Sequence, residues 1–202
     1  MKITRIVEQE KQKGRYSIFV EGKYAFSLSE TALLRSGLHA GQELDADELK
    51  GWKQQSADDK LYSAALRYAA LRPRSRWEVE QYLKRKDAPP ALTGQILNKL
   101  SSIGLLDDAA FAAAWVADRR LLRPTSKRKL QQELRAKHVS DETIGQALYS
   151  EGADERTALR ELIAKKRALP KYQADPLKFM QYLARQGFHY DDIKNALGAD
   201  DE

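Results

Sequence analysis

The sequence predicts a mainly α protein: three tandem three-helix repeats in an elongated, curved array, preceded by a small N-terminal α+β module with a β-hairpin. Two observations carry this prediction. Pairs of apolar residues four positions apart recur along the chain at intervals close to fifty residues, a period typical of stacked repeats. The N-terminal segment instead has the apolar-polar alternation and the aromatic content of β-strands.

Composition limits the class of protein. The 202 residues include no cysteine, 42% are hydrophobic, 32% are charged, and the net charge is +6. These values favour a thin, highly charged body over a compact enzyme, and they exclude disulfides, thiolate metal sites and a cysteine nucleophile. The chain begins without a secretory signal, and no run of about 18 apolar residues is present, so we expect a cytoplasmic protein without a membrane span.

The N-terminal module is predicted to occupy residues 1–57. Its strands end in a β-hairpin whose tight turn is Glu21-Gly22, since glycine accepts a positive φ. Ser29 is a good N-cap for a short helix that ends before Gly37. A second short helix is expected from Asp45 to Trp52.

From Asp58 onward the patterns are helical, and they group into repeats at residues 58–106, 107–150 and 151–202. Serine or aspartate stands where several helices should begin, and a proline separates the first helix of each repeat from the second. The nine predicted helices span residues 59–72, 75–86, 89–104, 107–122, 126–137, 140–150, 153–169, 175–187 and 189–198.

The repeats align on the second and third helix of each set. The aligned pairs of the second helices are Val79/Leu83, Leu130/Leu134 and Phe179/Leu183, which lie 51 and 49 residues apart. The third helices carry Ile144/Leu148 and Ile193/Leu197 at the same offsets, whereas Ile96/Leu100 follow a three-residue insertion. Each unit is therefore expected to bury its apolar face on its own third helix and on a neighbour.

Enzyme motifs are absent from the sequence. It has no GxGxxG or GxxxxGK[ST] loop to cradle phosphate, and its three histidines have no metal-type partners at helical spacing. Paired aspartates precede helices, where capping accounts for them better than acid-base catalysis. We therefore expect no catalytic residue, no metal and no cofactor, and we expect Trp77 and Trp115 to pack in helical cores.

Basic runs are the candidate binding residues. Between Arg119 and Lys137 the chain has eight bases and one acid, Glu133. Cations that end a helix are favoured by its dipole, but Lys127, Arg128 and Lys129 begin a helix, where the dipole disfavours them. Partner binding through phosphate or carboxylate contacts is therefore a better interpretation of this cluster than a solvated face. The candidates are Arg72, Arg74, Arg76, Lys84, Arg85, Lys86, Arg119, Arg120, Arg123, Lys127, Arg128, Lys129, Arg135 and Lys137.

The runs ALRYAALRPRSRWEVEQYLKRK, LNKLSSIGLLDDAAFAAAWVADRR and KRKLQQELRAKHVSDETIGQAL resemble the RecX family of bacterial regulatory proteins. The resemblance is strong over residues 58–150 and weaker in the third repeat. Two positions depart from the family pattern: Ser126 replaces a glycine, and His138 replaces the glycine of a helix-ending turn. The residues that mark the resemblance are Arg72, Ser75, Glu78, Gly104, Leu106, Asp107, Asp108, Phe111, Glu133, Leu134 and Lys137.

The resemblance implies a modulator of the RecA recombinase, made of three tandem three-helix units and needing no cofactor. Such proteins bind RecA filaments on DNA, lie in the filament groove, and reduce ATP hydrolysis, strand exchange and co-protease activity. We expect a monomer that bridges adjacent filament subunits through the basic face of its first two repeats, with DNA phosphate as a further contact.

Two other interpretations remain open at this point. A stand-alone, sequence-nonspecific DNA-binding helical module would bind DNA tightly without RecA and with a steep salt dependence. An inert scaffold would scatter its basic residues around every face and would have no effect on RecA.

Overall fold

A computed structural model describes residues 1–150 and 155–198. In these ranges the chain forms a three-stranded sheet followed by helices, so the predicted class is confirmed. The strands are β1 (Ile3–Glu8), β2 (Arg15–Val20) and β3 (Lys23–Ser29). The helices are α1 (Glu30–Ser36), α2 (Ala46–Ala70), α3 (Arg76–Lys84), α4 (Pro90–Ser102), α5 (Asp108–Leu122), α6 (Lys127–Arg135), α7 (Asp141–Ser150), α8 (Glu155–Lys166), α9 (Pro170–Gln173), α10 (Pro176–Arg185) and α11 (Tyr190–Gly198).

The sheet is antiparallel, with β2 between β1 and β3. The predicted hairpin joins β2 to β3, and its turn residues Glu21 and Gly22 have φ of 48° and 74°. Two consecutive positive φ values fit the tight turn that matches strand twist. One face of the sheet buries Ile3, Ile18 and Leu28 in the core of the N-terminal module.

Helices α1 and α2 cover this core, and each begins at a capping residue; the cap of α1, Ser29, was predicted. The side chain of Ser29 accepts a hydrogen bond from the backbone of Ala32, and Gly37 ends α1 with φ of 66°. Asp45 forms a reciprocal capping box with Glu48 at the start of α2. The predicted break between a helix ending at Trp52 and one starting at residue 59 is wrong, because α2 is a single helix of 25 residues.

A buried polar network explains why α2 runs on past residue 57. The Arg15 guanidinium contacts Asp59 on α2 at 3.0 Å, with both side chains less than 10% exposed. The Asp59 carboxylate also accepts hydrogen bonds from the backbone and the hydroxyl of Ser29, and Ser56 bonds to the backbone of Ser27. Asp59 therefore fastens the middle of α2 to the sheet instead of starting a helix.

The aligned apolar pairs are buried as predicted. Leu83, Leu130, Leu134 and Leu183 are all 0% exposed. In the second repeat these leucines pack with side chains of α5 and α7, and in the third repeat with side chains of α8 and α11. In the second and third repeats the second helix thus supplies the centre of the core.

The third repeat departs from the prediction in its first helix. That helix was expected over 153–169, but α8 ends at Lys166 and the short helix α9 follows, with Pro170 at its first position. Proline is tolerated there because the first backbone N–H of a helix has no internal partner. The predicted start at Ala153 lies outside the described residues.

By compactness the chain divides into two units, which are described separately. The first contains residues 1–72 and 79–105, and the second contains Pro73–Glu78 together with the chain from Leu106 onward. Within the described ranges, no helix is both long enough and apolar enough to cross a membrane.

Candidate partner-binding surface

A turn with positive φ follows the second helix of each repeat. Asp87, His138 and Gly187 have φ of 55°, 56° and 91°, and they lie 51 and 49 residues apart. The backbone conformation of this turn is therefore repeated as well. Only the turn of the third repeat has glycine, the residue that a positive φ favours. His138 does adopt the strained conformation that its glycine-replacing position suggests.

In the second unit, the turn at His138 packs against the segment Pro73–Glu78. The His138 ring stacks on Trp77 with 4.5 Å between ring centroids. The Lys137 ammonium donates to the carboxylate of Glu78 at 2.9 Å, and Glu78 is 8% exposed. Lys137 thus neutralises a buried carboxylate, which makes it part of a repeat junction.

The turn at Gly187 makes the corresponding contact one repeat later. The Ser126 hydroxyl, which is buried, donates to the backbone carbonyl of Gln186 at 2.8 Å. The Lys129 ammonium donates to the side-chain oxygen of Gln186, also at 2.8 Å. Glu78 and Lys129 occupy the same repeat position, as do Lys137 and Gln186, so one junction geometry is used twice.

Further predicted cations also have partners inside the chain. Arg119 donates to Glu133 at 2.8 Å and lies 4.4 Å above the Trp115 ring, whose N–H bonds to the same carboxylate. Arg135 pairs with Asp141 at 2.7 Å, and the hydrogen bond to this carboxylate raises the pKa of Arg135. Arg74, 14% exposed, lies 4.0 Å from Glu78, and Arg120 is half-buried.

The remaining candidates are exposed, and they fall into two sets. The first unit exposes Arg72 and the end of α3, at Lys84, Arg85 and Lys86. The second unit exposes Arg76 and, around the start of α6, Arg123, Lys127 and Arg128. The structure therefore does not gather the fourteen residues into one patch within either unit.

The exposed set Arg123, Lys127 and Arg128 is hereafter the α6 corner. No acidic residue lies in the first turn of α6; instead the Glu155 carboxylate accepts from the Lys127 backbone N–H at 3.1 and 3.3 Å. In the part of the chain that the structure describes, the side chains of Lys127 and Arg128 have no hydrogen-bond or ion-pair partner. They thus keep their full charge available to an external anion.

Arg123 also acts on a neighbouring tyrosine. Burial raises the pKa of Tyr182, and the adjacent ring of Tyr172 raises it further, while the Arg123 cation opposes both effects. Arg123 is exposed, so this contact leaves its guanidinium accessible.

Sequence reasoning missed the internal acceptors at these junctions. Glu155 and Gln186 carry no motif, and they lie 28 and 57 residues from the α6 positions that they contact. The one available signal was the repeat itself. Once Glu78 is known to contact Lys137, the repeat offsets of 51 and 49 residues predict that Lys129 contacts Gln186. No cluster of residues able to hold a metal ion is found within 1–150 and 155–198.

Comparison with known proteins gives matches across most of the chain. Three family models match: "Regulatory protein RecX N-terminal domain" over residues 1–45, "RecX, first three-helix domain" over 62–100, and "RecX, second three-helix domain" over 107–148. A regulatory protein RecX from Halalkalibacterium halodurans is 35% identical over 188 residues, covering 91% of this chain and 71% of the relative.

The chain belongs to the RecX family. Its RecX relative from Bacillus subtilis is 32% identical over 200 residues, which cover 96% of this chain and 75% of that protein. A crystal structure of a regulatory protein RecX superposes with a TM-score of 0.71 at 30% identity, covering 96% of this chain and 98% of the other. RecX from Lactobacillus salivarius has a TM-score of 0.56 at 27% identity over 71% of this chain.

Proposed function

We propose that this chain is a non-enzymatic cytoplasmic regulator that binds RecA filaments on DNA and reduces their ATP hydrolysis, strand exchange and co-protease activity. In this proposal the chain acts as a monomer, and its repeats engage neighbouring filament subunits. Support comes from its membership in a family of regulatory proteins and from its tandem three-helix units. The RecA partner itself follows from the resemblance of the sequence motifs to the RecX family.

The α6 corner is the observation that carries the proposed contact. Lys127 and Arg128 stand where a helix dipole disfavours cations, and within residues 1–150 and 155–198 their side chains have no hydrogen-bond or ion-pair partner. Arg119, Lys129 and Lys137 are less suitable, because removing them would break contacts inside the repeats. Among the ten candidates of the second unit, we therefore place the contact on the α6 corner.

Two exposed leucines favour a protein partner over bare DNA. Leu121 and Leu122, directly before Arg123, are 73% and 70% exposed. A phosphate backbone offers little apolar surface, whereas a protein interface buries apolar side chains at its centre and places charges at its rim. Leucines beside the α6 corner therefore suit an acidic protein surface.

DNA-dependent ATP hydrolysis by RecA, titrated with the protein at two salt concentrations, tests the proposal. We expect inhibition that weakens with salt, and we expect the double charge reversal K127E/R128E to shift the half-inhibitory concentration upward by about tenfold or more. The control K50E/K53E makes the same charge change on exposed lysines of α2 and should inhibit like the unaltered protein.

A second variant separates the two candidate partners. L122S removes an exposed apolar side chain without changing charge, so it should weaken inhibition of RecA and leave affinity for duplex DNA alone unchanged. Tight DNA binding without RecA, combined with inhibition that survives both K127E/R128E and L122S, would instead support a stand-alone DNA-binding module. Absence of any effect on RecA at low salt would reject the proposal.

A further inference from the structure

The N-terminal module contains a polar pocket that is separate from the partner-binding contacts described above. It lies between the sheet and α2 within the first unit, and its volume is about 190 Å³. That is more than ten times the roughly 10–15 Å³ that a cavity needs, on the same measure, to hold one water molecule, so a phosphate group fits. Its lining residues are Gln9, Gln12, Arg15, Tyr24, Ser27, Lys60 and Arg67.

The charge of this pocket is positive. Arg15, Lys60 and Arg67 line it, and no acidic side chain does. Asp59 offsets one of these charges through its ion pair with Arg15. The balance leaves two uncompensated cations facing a concave, polar space, which attracts an anion.

The two α2 cations have no partner within their helix. Residues three and four positions from Lys60 and from Arg67 are alanine, serine or leucine, so no acidic neighbour can form the usual surface pair. Neither side chain has an ion pair among the described residues. Arg67 lies in the last turn of α2, where the dipole favours it, but Lys60 lies mid-helix and receives no such benefit.

Arg15 is held in a fixed position at the wall of this pocket. Its Nε and one terminal nitrogen donate to the hydroxyl and the carbonyl of Ser27 at 3.0 and 2.9 Å, and the other terminal nitrogen contacts Asp59. A guanidinium has five N–H donors, and these three contacts leave two for a ligand. Because the side chain is 5% exposed and held on both sides, binding would cost little ordering entropy.

An aromatic side chain at the rim indicates what kind of anion fits. Tyr24 lines the pocket and is 52% exposed. Its ring packs edge-on against Phe19, and the Arg5 guanidinium lies 4.0 Å above the Phe19 ring. An exposed tyrosine held in place beside a phosphate-sized basic pocket matches the combination of stacking and backbone contact that single-stranded nucleic acids require.

We propose that this pocket is a phosphate-binding site for single-stranded nucleic acid, in which Arg15, Lys60 and Arg67 contact a backbone phosphate and Tyr24 stacks on the adjacent base. The N-terminal module thereby supplies a nucleic-acid contact of its own. This site is independent of the α6 corner and does not require the RecA proposal to be correct.

Fluorescence anisotropy with a labelled single-stranded thymidine oligonucleotide tests the site. All variants carry K127E/R128E, so that the α6 corner does not contribute to binding. Adding K60E/R67E should weaken binding at least tenfold and lower the slope of log affinity against log salt by about 1.4, since each single-strand phosphate contact contributes about 0.7. The matched change K50E/K53E on the same helix should alter affinity less than twofold.

The tyrosine is tested separately. Y24A should weaken binding of the thymidine oligonucleotide at least fivefold and leave binding of an abasic oligonucleotide of equal length unchanged, because only the stacking contact is lost. K60Q/R67Q should weaken both oligonucleotides. Circular dichroism of each variant confirms that it is folded.

Three results would overturn the proposal. The first is equal affinity of K60E/R67E and K50E/K53E for the thymidine oligonucleotide. The second is an unchanged affinity of Y24A, which would remove the argument for a nucleic acid. The third is that K60E/R67E loses binding to polyglutamate but still binds the oligonucleotide, which would make the pocket a binding site for an acidic protein.

Discussion

Gly187 lies so close to Ser126 that a Cβ atom added to it would stand 2.3 Å from the Ser126 hydroxyl oxygen. The same atom would stand 3.2 Å from Cβ of Lys129. Since Ser126 and Lys129 form the start of α6 and Gly187 follows α10, this glycine sets how closely the second and third repeats of the second unit approach. The absence of a side chain at residue 187 is therefore a packing requirement as well as a backbone one.

We expect G187A to lower the free energy of unfolding by about 3 kcal/mol, through overpacking and a strained positive φ. Urea denaturation followed by circular dichroism measures this loss. G104A is the control for φ, because Gly104 has φ of 75° but open space around it, and it should cost about 1 kcal/mol. Equal costs at the two sites would show that the contact with Ser126 is unimportant.

Breaking the Arg15–Asp59 pair should be severe. D59A leaves a buried guanidinium and two Ser29 donors without their acceptor, so we expect a loss of about 3–5 kcal/mol. Asp58, the preceding residue, accepts only a surface hydrogen bond from Gln54 among the described contacts, so D58A should cost less than about 0.5 kcal/mol. Thermal denaturation of both variants measures these losses. Similar losses of stability in D59A and D58A would contradict a stabilising role for the Arg15–Asp59 pair.

The contact between Lys129 and Gln186 can be converted into an ion pair. The two side chains are 2.8 Å apart at a partly buried junction, so Q186E should stabilise the protein by about 0.5–1 kcal/mol at low salt. The gain should shrink at high salt and should vanish when K129M is present. A gain that persists with K129M would mean that another group accounts for it.

His138 carries two opposing contributions, which two substitutions separate. H138A loses the stack on Trp77 and keeps the positive φ, whereas H138G loses the stack but relieves the backbone. We expect H138G to be more stable than H138A by about 1 kcal/mol. The same comparison at exposed Asp87, where φ is 55°, should give a similar difference; no difference at either site would refute backbone strain.

Local patterns predicted most of the fold. Buried pairs such as Leu130/Leu134 and caps such as Ser126 follow from periodicity and from side-chain chemistry over a few residues. The continuous α2 could not be predicted in this way. Its cause, the contact of Asp59 with Arg15, joins residues 44 positions apart, and in the sequence the same aspartate resembles a helix start.

For the binding surface, the sequence predicted which residues carry charge. It did not predict which of these side chains form hydrogen bonds or ion pairs within the chain. Lys129 and Lys137 differ from Lys127 in having acceptors one repeat away, and those acceptors lie on junction turns that no local pattern marks. The polar pocket of the N-terminal module was missed for the same reason, since strands, a loop and α2 each contribute part of its lining.

The shared helix α2 limits how such a protein can gain or lose parts in evolution. Its first turns cover the sheet, and its last turns belong to the first three-helix repeat. The two ends of this one continuous helix therefore pack against different parts of the chain. A shortened gene product beginning at residue 58 would start in mid-helix and would expose Asp59 without the arginine that compensates it. A variant that lacks the strands would therefore also need substitutions on the face of α2 that the sheet now covers.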